Sequence, residues 1–503
     1  MRRLSAVSSL VPTPGGFVII DAKHLKTVLL LAAILPCLSA LAGSARAQIT
    51  IYVDQDAIGP QHNGEGWCTA YTDLQEALQY ARDNPGEVSE IRVAGGVYKP
   101  ATPGQRWISF RLVNGVRHYG GYSGCGVIDP NLRSPTRHPT ILSGDLNDDD
   151  YYEPIECASD SQCEAEYGTG ITCDLEGTGR CSSDAFILDN TRQVVFAGSI
   201  SDPDTVFDGF IIEGGNADGG NPSDRGGGIF IFYGPANLTI ANCIIRHNTA
   251  VSKAGGMYAY QMYGKMVNCV FDGNWAPYAG ALESFNNEIE FINCTFSGNR
   301  ATKEQSLGVG GLMIAGALDS LVVRNSIFWG NSEPAGMGEH AQFNLYNKDV
   351  DASYNSIQGW TGRSPGIGNN GDDPLFIDPL GTDGLAGTVD DDLRLQAGSP
   401  CINSGDPAEV VSAGEKDIDG TNRRWGCRVD RGAFESSRLQ LPGDFTGNET
   451  TDLLDFAYFQ GCFDPQVSAS DWLDTCLCVF DDNEDGDVDL NDLDPFRSTM
   501  TGP

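Results

Sequence analysis

GGGIF at Gly226 to Phe230, AGGMY at Ala254 to Tyr258, AGALE at Ala279 to Glu283 and GGLMI at Gly310 to Ile314 write one word four times, and a second word follows each: IANCIIRHNTA, VNCVFDGNWA, INCTFSGNRA and VRNSIFWGN. The aligned positions Cys243, Cys269, Cys294 and Ser326 lie 26, 25 and 32 residues apart, which is the interval of a structural repeat and not of a catalytic motif. Each unit carries short bursts of β-branched, aliphatic or aromatic residues, such as Leu238 to Ile240 and Cys243 to Ile245, with Gly and Asn between them. The bursts are too short for helices, and Gly and Asn accept left-handed backbone at sharp corners. A unit of about 25 to 30 residues with three short strands is one coil of a parallel β-helix, stacked roughly 4.8 Å from the next.

Stacking turns recurring letters into ladders. Asn242, Asn268, Asn293 and Asn325 fall in one file and Asn248, Asn274, Asn299 and Asn331 in another, so side-chain amides are expected to bond coil to coil. Cys243, Cys269 and Cys294, flanked by Ile245, Phe271 and Phe296, pack inward as core thiols, because side chains one coil apart hold their sulfurs too far apart for a bridge.

The chain has 503 residues, 68 acidic against 32 basic, and a formal charge of −36. A surface of that sign repels nucleic acid and anionic membranes and attracts cations, calcium above all. Lys23, His24 and Lys26 precede an apolar run from Thr27 to Leu41, and Ala45-Arg46-Ala47 follows, the pattern of a secretory signal covering residues 1–47 behind a long n-region. The run is about 15 residues against the roughly 20 needed to span a bilayer, and no later segment is expected to be an integral membrane span. Secretion implies disulfides among the fourteen cysteines left after cleavage. Cys68 pairs with Cys125 in this reading and Cys401 with Cys427, while Cys157, Cys163, Cys173 and Cys181 staple a polar insert at 151–184.

Residues 48–150 read as a cap and the first coils: a strand at Ile49 to Val53, then an amphipathic helix from Ala70 to Asp83 with Leu74, Ala77, Leu78 and Ala81 on one face and Thr72 and Gln75 as a capping box. A helix there plugs the open end of the rod. The main β-helix and a closing section occupy 185–440.

Residues 441–503 differ in character. Asp481, Asn483, Asp485, Asp489 and Asp492 fill side-chain positions 1, 3, 5, 9 and 12 of a calcium loop, Asp487 offers the carbonyl at 7, and Gly486 makes the turn. A poorer copy begins 37 residues earlier with Asp444, Thr446, Asn448, the Thr450 carbonyl, Asp452 and Asp455, and Glu449 stands where the turn Gly belongs. Other carboxylates cluster at Asp145, Asn147, Asp148 and Asp149 and at Asp383 and Asp390 to Asp392, either as calcium sites at coil corners or as polar loops of an acidic protein.

Two calcium loop–helix units ending in Asp resemble a dockerin module over Gly443 to Thr499, although Cys462, Cys476 and Cys478 are not typical of that family. The resemblance implies Ca2+ as cofactor and a cohesin-like or envelope protein as partner. FDGFIIEGGNA at Phe207 to Ala217, the GGxx and FxGN words, and the ending SPCINSGDP to DRGAFE resemble secreted bacterial right-handed parallel β-helix proteins of the pectin-lyase-like class. The GGxx/FxxN alternation is also similar to the repeats of polymorphic outer-membrane proteins. The fold class expected is therefore all-β, a right-handed parallel β-helix with a capping helix and a small α-helical calcium module. That class includes polysaccharide lyases and glycoside hydrolases, which need a basic residue beside calcium ligands or a pair of carboxylates about 5 to 9.5 Å apart. No Gly-His-Gly, Arg-x-Lys or paired-Asp word stands on adjacent coils, Lys253 and Lys265 read as isolated, and His247 beside Arg246 reads as a surface turn. The expectation is a non-catalytic, secreted or cell-surface adhesin or glycan-binding scaffold with no catalytic residue, the alternative being a calcium-dependent polysaccharide lyase or hydrolase.

Overall fold

The computed structural model describes residues 48–148, 150, 187–232, 236–303, 308–316, 320–345, 350–363, 366–412, 414–424, 428–436, 451–462, 479–480 and 488–500, and the backbone of strands at 9–13, 16–20, 172–173 and 181–182. Residues 1–48 form one unit and 49–503 another. In the first, Ser9–Thr13 pairs antiparallel with Gly16–Ile20, and the apolar run at 27–41 lies outside the described residues.

In the second unit the repeat closes as a right-handed parallel β-helix. Three long all-parallel sheets run up the rod. Sheet I contains Phe110–Arg111, Val195–Ala197, Ile229–Ile231, Met257–Tyr260, Leu282–Phe285, Leu312–Ile314 and Phe343–Leu345 in that order. Sheet II starts at Ile49–Val53 and climbs through Ala236–Ala241, Met262–Val267, Glu288–Ile292 and Ser320–Arg324 to Val350–Ser353. Sheet III runs from Gly96–Tyr98 through Ile244–Arg246, Val270–Asp272, Thr295–Ser297 and Ile327–Trp329 to Ser356–Ile357. The repeated words align as expected with one correction: Leu282 pairs with Leu312 and Glu283 with Met313, so the fourth copy is VGGLM at 309–313, one residue earlier than the letters suggest.

The two words depend on each other physically. A side chain on Gly227, Gly255, Gly280 or Gly310 would collide with backbone of the turn after the second word, at Thr249, Trp275, Arg300 and Asn299 or Ser332. That turn is held by the inner Asn file. Asn248 Nδ2 donates to Asn274 Oδ1 at 3.1 Å, Asn274 to Asn299 at 2.9 Å, Asn299 to Asn331 at 2.8 Å, and Asn331 to Gln342 Oε1 at 2.7 Å. The corner file differs. Asn242, Asn268, Asn293 and Asn325 all take left-handed backbone, φ between 49° and 53°, but only Asn268 to Asn242 is bonded in the file, at 3.1 Å. The file also meets the closing section, where Asn268 Nδ2 donates to the Lys416 carbonyl at 2.8 Å and Asn325 Oδ1 accepts the Asp406 amide at 2.7 Å.

Inside, Phe271, Phe296 and Phe328 stack at 4.8 and 4.6 Å. Cys243, Cys269 and Cys294 are free, buried thiols, and burial pushes the Cys243 thiol up to about 12. Helix α1 (Leu74–Asp83) buries Leu74, Ala77, Leu78 and Ala81 over the first coils, as its periodicity requires. Its N-cap is Asp73, whose side chain accepts the Gln75 amide at 2.8 Å, and not the Thr72 box expected; the Gln75 amide group reaches back to the Pro100 and Ser109 carbonyls instead. Cys68 and Cys125 are bonded and close a 57-residue span.

Cys401 is a free buried thiol, which overturns its expected bridge; Cys427 lies outside the described residues. The closing section is held by other means. Arg423, fully buried, donates to the carbonyls of Asp430, Gly432 and Ala433 and pairs with Glu435 at 3.1 Å. Of the insert at 151–184, Cys173 and Cys181 stand opposite each other in a short antiparallel pair; Cys157 and Cys163 lie outside the described residues. A short helix α2 (Glu339–Gln342) delivers Gln342 to the top of the Asn ladder. No helix among the described residues is long and apolar enough to cross a membrane.

Candidate functional site

Each sheet turns alternate residues outward, and the three outward faces have different fates. That of sheet III is covered from Ile244 upward: Ile244, Val270 and Ile327 pack against Phe376, Leu393, Ile418 and Ala433 of the closing section, and Arg431 bridges to the Asn355 and Gly368 carbonyls.

On sheet II the outward files are Asn237, Tyr263, Glu288 and Ser320, and beside them Thr239, Lys265, Glu290 and Val322. Between them the inward file reads Leu238, Gly264, Ile289 and Leu321. Gly264 has no space for a side chain because the backbone of Leu238 lies against it. An open depression of about 560 Å³ crosses these coils, with Pro203 also lining it. Neither Lys265 nor Glu288 nor Glu290 has an ion-pair partner among the described residues, so three charged groups and a tyrosine face solvent together.

Sheet I carries the outward file Phe196, Phe230, Tyr258, Glu283, Met313 and Asn344. A second aromatic row runs beside it, Phe232, Tyr260 and Phe285, with rings 5.2 and 5.8 Å apart. Glu283 is the one carboxylate in the first file. It is fully buried, its Oε1 accepts from Lys253 Nζ at 2.6 Å, and its Oε2 has no hydrogen-bond partner. Burial raises its pKa, and the neighbouring Lys253 and Arg225 oppose that rise. The Arg225 guanidinium lies 5.1 Å over the Tyr258 ring and pairs with Asp224 at 2.8 Å. Lys253 is therefore not isolated, as its place in the sequence suggested. The corner before sheet I stacks it one coil above Arg225 and aims it at a strand 30 residues on. The legible signal was Glu283 itself, a charge at the position where the other words carry Phe230, Tyr258 and Met313.

His247 does sit at a corner, with φ 52°, in the slot that Gly273 and Gly298 fill on the next coils. Its imidazole is pushed down to about 4 by burial and by Arg246, so it is neutral at ordinary pH. Arg246 is occupied by Glu213, at 2.8 Å.

Of the twelve residues expected to ligate calcium, Asp481, Asn483, Asp485, Asp487, Asp444, Thr446, Asn448 and Thr450 lie outside the described residues. The other four form two matching clips. Asp492 Oδ2 accepts the Asp489 amide at 2.8 Å and Asp489 Oδ1 the Asn491 amide at 2.7 Å; Asp455 Oδ2 accepts the Asp452 amide at 2.9 Å and Asp452 Oδ1 the Leu454 amide at 2.7 Å. They start helices α3 (Leu453–Cys462) and α4 (Leu490–Thr499), which pack through Phe459 and Phe496 at 4.9 Å with Phe480 edge-on. Asp455 and Asp492 are buried at the loop ends, whereas Leu453, Leu454 and Leu490 are more than half exposed. Among the described residues no three His, Cys, Asp or Glu side chains converge as metal ligands. The Asp383 and Asp390 to Asp392 cluster disperses: Asp390 accepts from Thr382 and Thr388, Asp391 turns inward, and Asp392 pairs with Arg394. In the other cluster Asp145 accepts the Asn147, Asp148 and Asp150 amides; Asp149 lies outside the described residues.

Residues 180–370 match the family model described as a right handed beta helix region. A comparison with curated proteins gives no match.

Proposed function

We propose that this chain is a secreted or cell-surface β-helix scaffold that binds a polysaccharide along an exposed flank and docks through a calcium-binding C-terminal module. The observation that carries the binding half is the depression on sheet II, where Tyr263 offers a ring face and Lys265, Glu288, Glu290, Asn237 and Thr239 offer hydrogen bonds across successive coils. A polymer with hydroxyls at regular intervals suits a surface that repeats at regular intervals. The charge of −36 disfavours nucleic acid.

A catalytic reading has one specific observation in its favour. The Glu283 carboxyl is buried, raised in pKa and half unpartnered beside Lys253, Arg225 and Tyr258, which is how acid–base groups are prepared. One experiment separates the two. The protein is incubated with pectate and related uronans while binding is followed by calorimetry and chain cleavage by unsaturated or reducing ends. Binding without product, weakened about fivefold or more by Tyr263→Ala as loss of a ring-stacking contact of about 1–3 kcal/mol requires, supports the scaffold. Product that disappears in Glu283→Gln supports the enzyme.

For the terminal module, Asp481, Asn483, Asp485, the Asp487 carbonyl, Asp489 and Asp492 would hold one calcium ion, and Asp444, Thr446, Asn448, the Thr450 carbonyl, Asp452 and Asp455 a second. The ion supplies positive charge that lets each crowded acidic loop close. The two clips fit this, since each brings its last two carboxylates to the start of a helix in the same geometry. The exposed Leu453, Leu454 and Leu490 stand at corresponding helix starts and offer apolar side chains to a cohesin-like or envelope protein. Calorimetry should show calcium binding that weakens in Asp485→Ala; equal heats for the two proteins would remove the assignment.

A further inference from the structure

The depression on sheet II is floored by two rungs that carry unlike pairs. Tyr263 and Lys265 stand two residues apart on one strand, and Glu288 and Glu290 stand directly across from them on the next. All four side chains point outward, since Ile289 between the glutamates is buried. Lys265, Glu288 and Glu290 are exposed and Tyr263 is half-buried. Glu290 therefore has a cation opposite it, whereas Glu288 has an aromatic ring on one side and Ser320 on the other. Residues directly across a strand pair lie about 5 Å apart and diagonal ones about 7–8 Å, so Glu288 keeps company with the Tyr263 ring and not with Lys265.

Among the described residues no other cation lines the depression. Below it, Arg117 stands on the file that continues through Val206 and Thr239 to Lys265, and it is paired with Asp204 at 3.7 Å. Above it, the same file passes from Glu290 through Val322 to Asp351, a further exposed acid whose Oδ1 accepts from Ser353 Oγ at 2.7 Å. The depression thus carries an excess of negative charge on a chain whose formal charge is −36. A polymer with a carboxylate on every sugar meets a lone lysine between glutamates and is repelled by the field of the whole chain. A polymer with ammonium groups is drawn in by that field, finds an uncommitted carboxylate at Glu288, and meets in Tyr263 a ring face that attracts cations as well as stacking on a sugar.

We propose that the sheet II depression selects glycans built from amino sugars with free amines, an ammonium group of the polymer bonding to Glu288 while the adjoining sugar ring lies against Tyr263. This rests on the reading of the depression as a polysaccharide site and names the sugar it takes. Lys265 and Glu290, side by side and of opposite sign, offset each other's field and are left to bond hydroxyls. Asn237, Thr239 and Ser320, on the rungs to either side, are neutral and read hydroxyls as well. Because the charged groups are exposed, the selectivity is electrostatic and salt screens it.

Calorimetry of the full-length protein with hexamers of glucosamine, N-acetylglucosamine and galacturonate tests this, at low salt and about pH 5.5, where amines are protonated and ordinary carboxyl groups ionised. The glucosamine hexamer should bind about tenfold or more tightly than the galacturonate hexamer and about threefold or more tightly than the acetylated one, and both preferences should shrink as salt rises to about 0.5 M. Glu288→Gln keeps the shape and loses the charge, so it should bring the ratio of glucosamine to acetylated hexamer close to unity. Tyr263→Ala should weaken both and leave glucosamine preferred. Equal affinities for all the hexamers, tighter binding of the galacturonate hexamer with or without calcium, or an unchanged ratio in Glu288→Gln would overturn the proposal and leave the polysaccharide site standing. Binding of none of them would overturn both.

Discussion

Asn299→Ala should destabilise the rod by about 4 kcal/mol, from several buried hydrogen bonds worth about 1 kcal/mol each and stranded polar groups costing about 1–3 kcal/mol each. The amide of Asn299 donates to the carbonyls of Phe271 and Ser297 and to Asn331 Oδ1, at 2.9, 2.9 and 2.8 Å, while its Oδ1 accepts the Asn274 backbone and side-chain N–H groups at 3.0 and 2.9 Å. Alanine removes every one of these partners inside a region that water does not enter. Because coils contact only their neighbours, the loss should concentrate in the coils from Cys243 to Asn331. Denaturant unfolding with hydrogen exchange across those coils reads it. As a control, Asn237→Ala on the outer face of sheet II removes one bond, to the Ser201 carbonyl, and should shift stability by about 0.5 kcal/mol or less. Equal effects for the two variants would mean that the ladder does not hold the coils together.

Phe296→Ala is the second large effect, with an expected loss of about 3–5 kcal/mol from lost apolar transfer and an unfilled cavity. The ring lies between Phe271 and Phe328, nearly parallel to both, at 4.8 and 4.6 Å, and is fully buried. Coils above and below cannot close the gap, since their spacing is fixed by strand hydrogen bonds on either side of the ring. Phe296→Leu keeps most of the volume and should cost about 1.5 kcal/mol or less. Thermal unfolding of the two variants checks the ratio; a Phe296→Ala protein as stable as Phe296→Leu would show that the core relaxes freely around the stack.

The coil repeat was readable because it is local. A word of five letters and a word of nine to eleven return every 25 to 32 residues, and stacking alone then puts like side chains in contact, so the files of Asn248 to Asn331 and of Phe271 to Phe328 needed no knowledge of distant chain. The frame of the fourth copy was misread since Val309 replaces the alanine of the second and third words, while pairing with Glu283 fixes Met313 in place. Cys401 was misread because an even cysteine count in an oxidising compartment favours pairing, whereas the fold buries its thiol among Phe376, Leu393 and Ile418.

What the amino-acid order determined by itself is the β-helix, its inward files and the character of its acidic tail, all of which follow from periodicity and residue type. Tertiary structure alone decided which outward face stays open and why Lys253 answers to Glu283. Those facts depend on how corners aim side chains and on where the closing section folds back, and both are set by contacts between residues 30 or more positions apart, beyond the reach of any pattern within one coil.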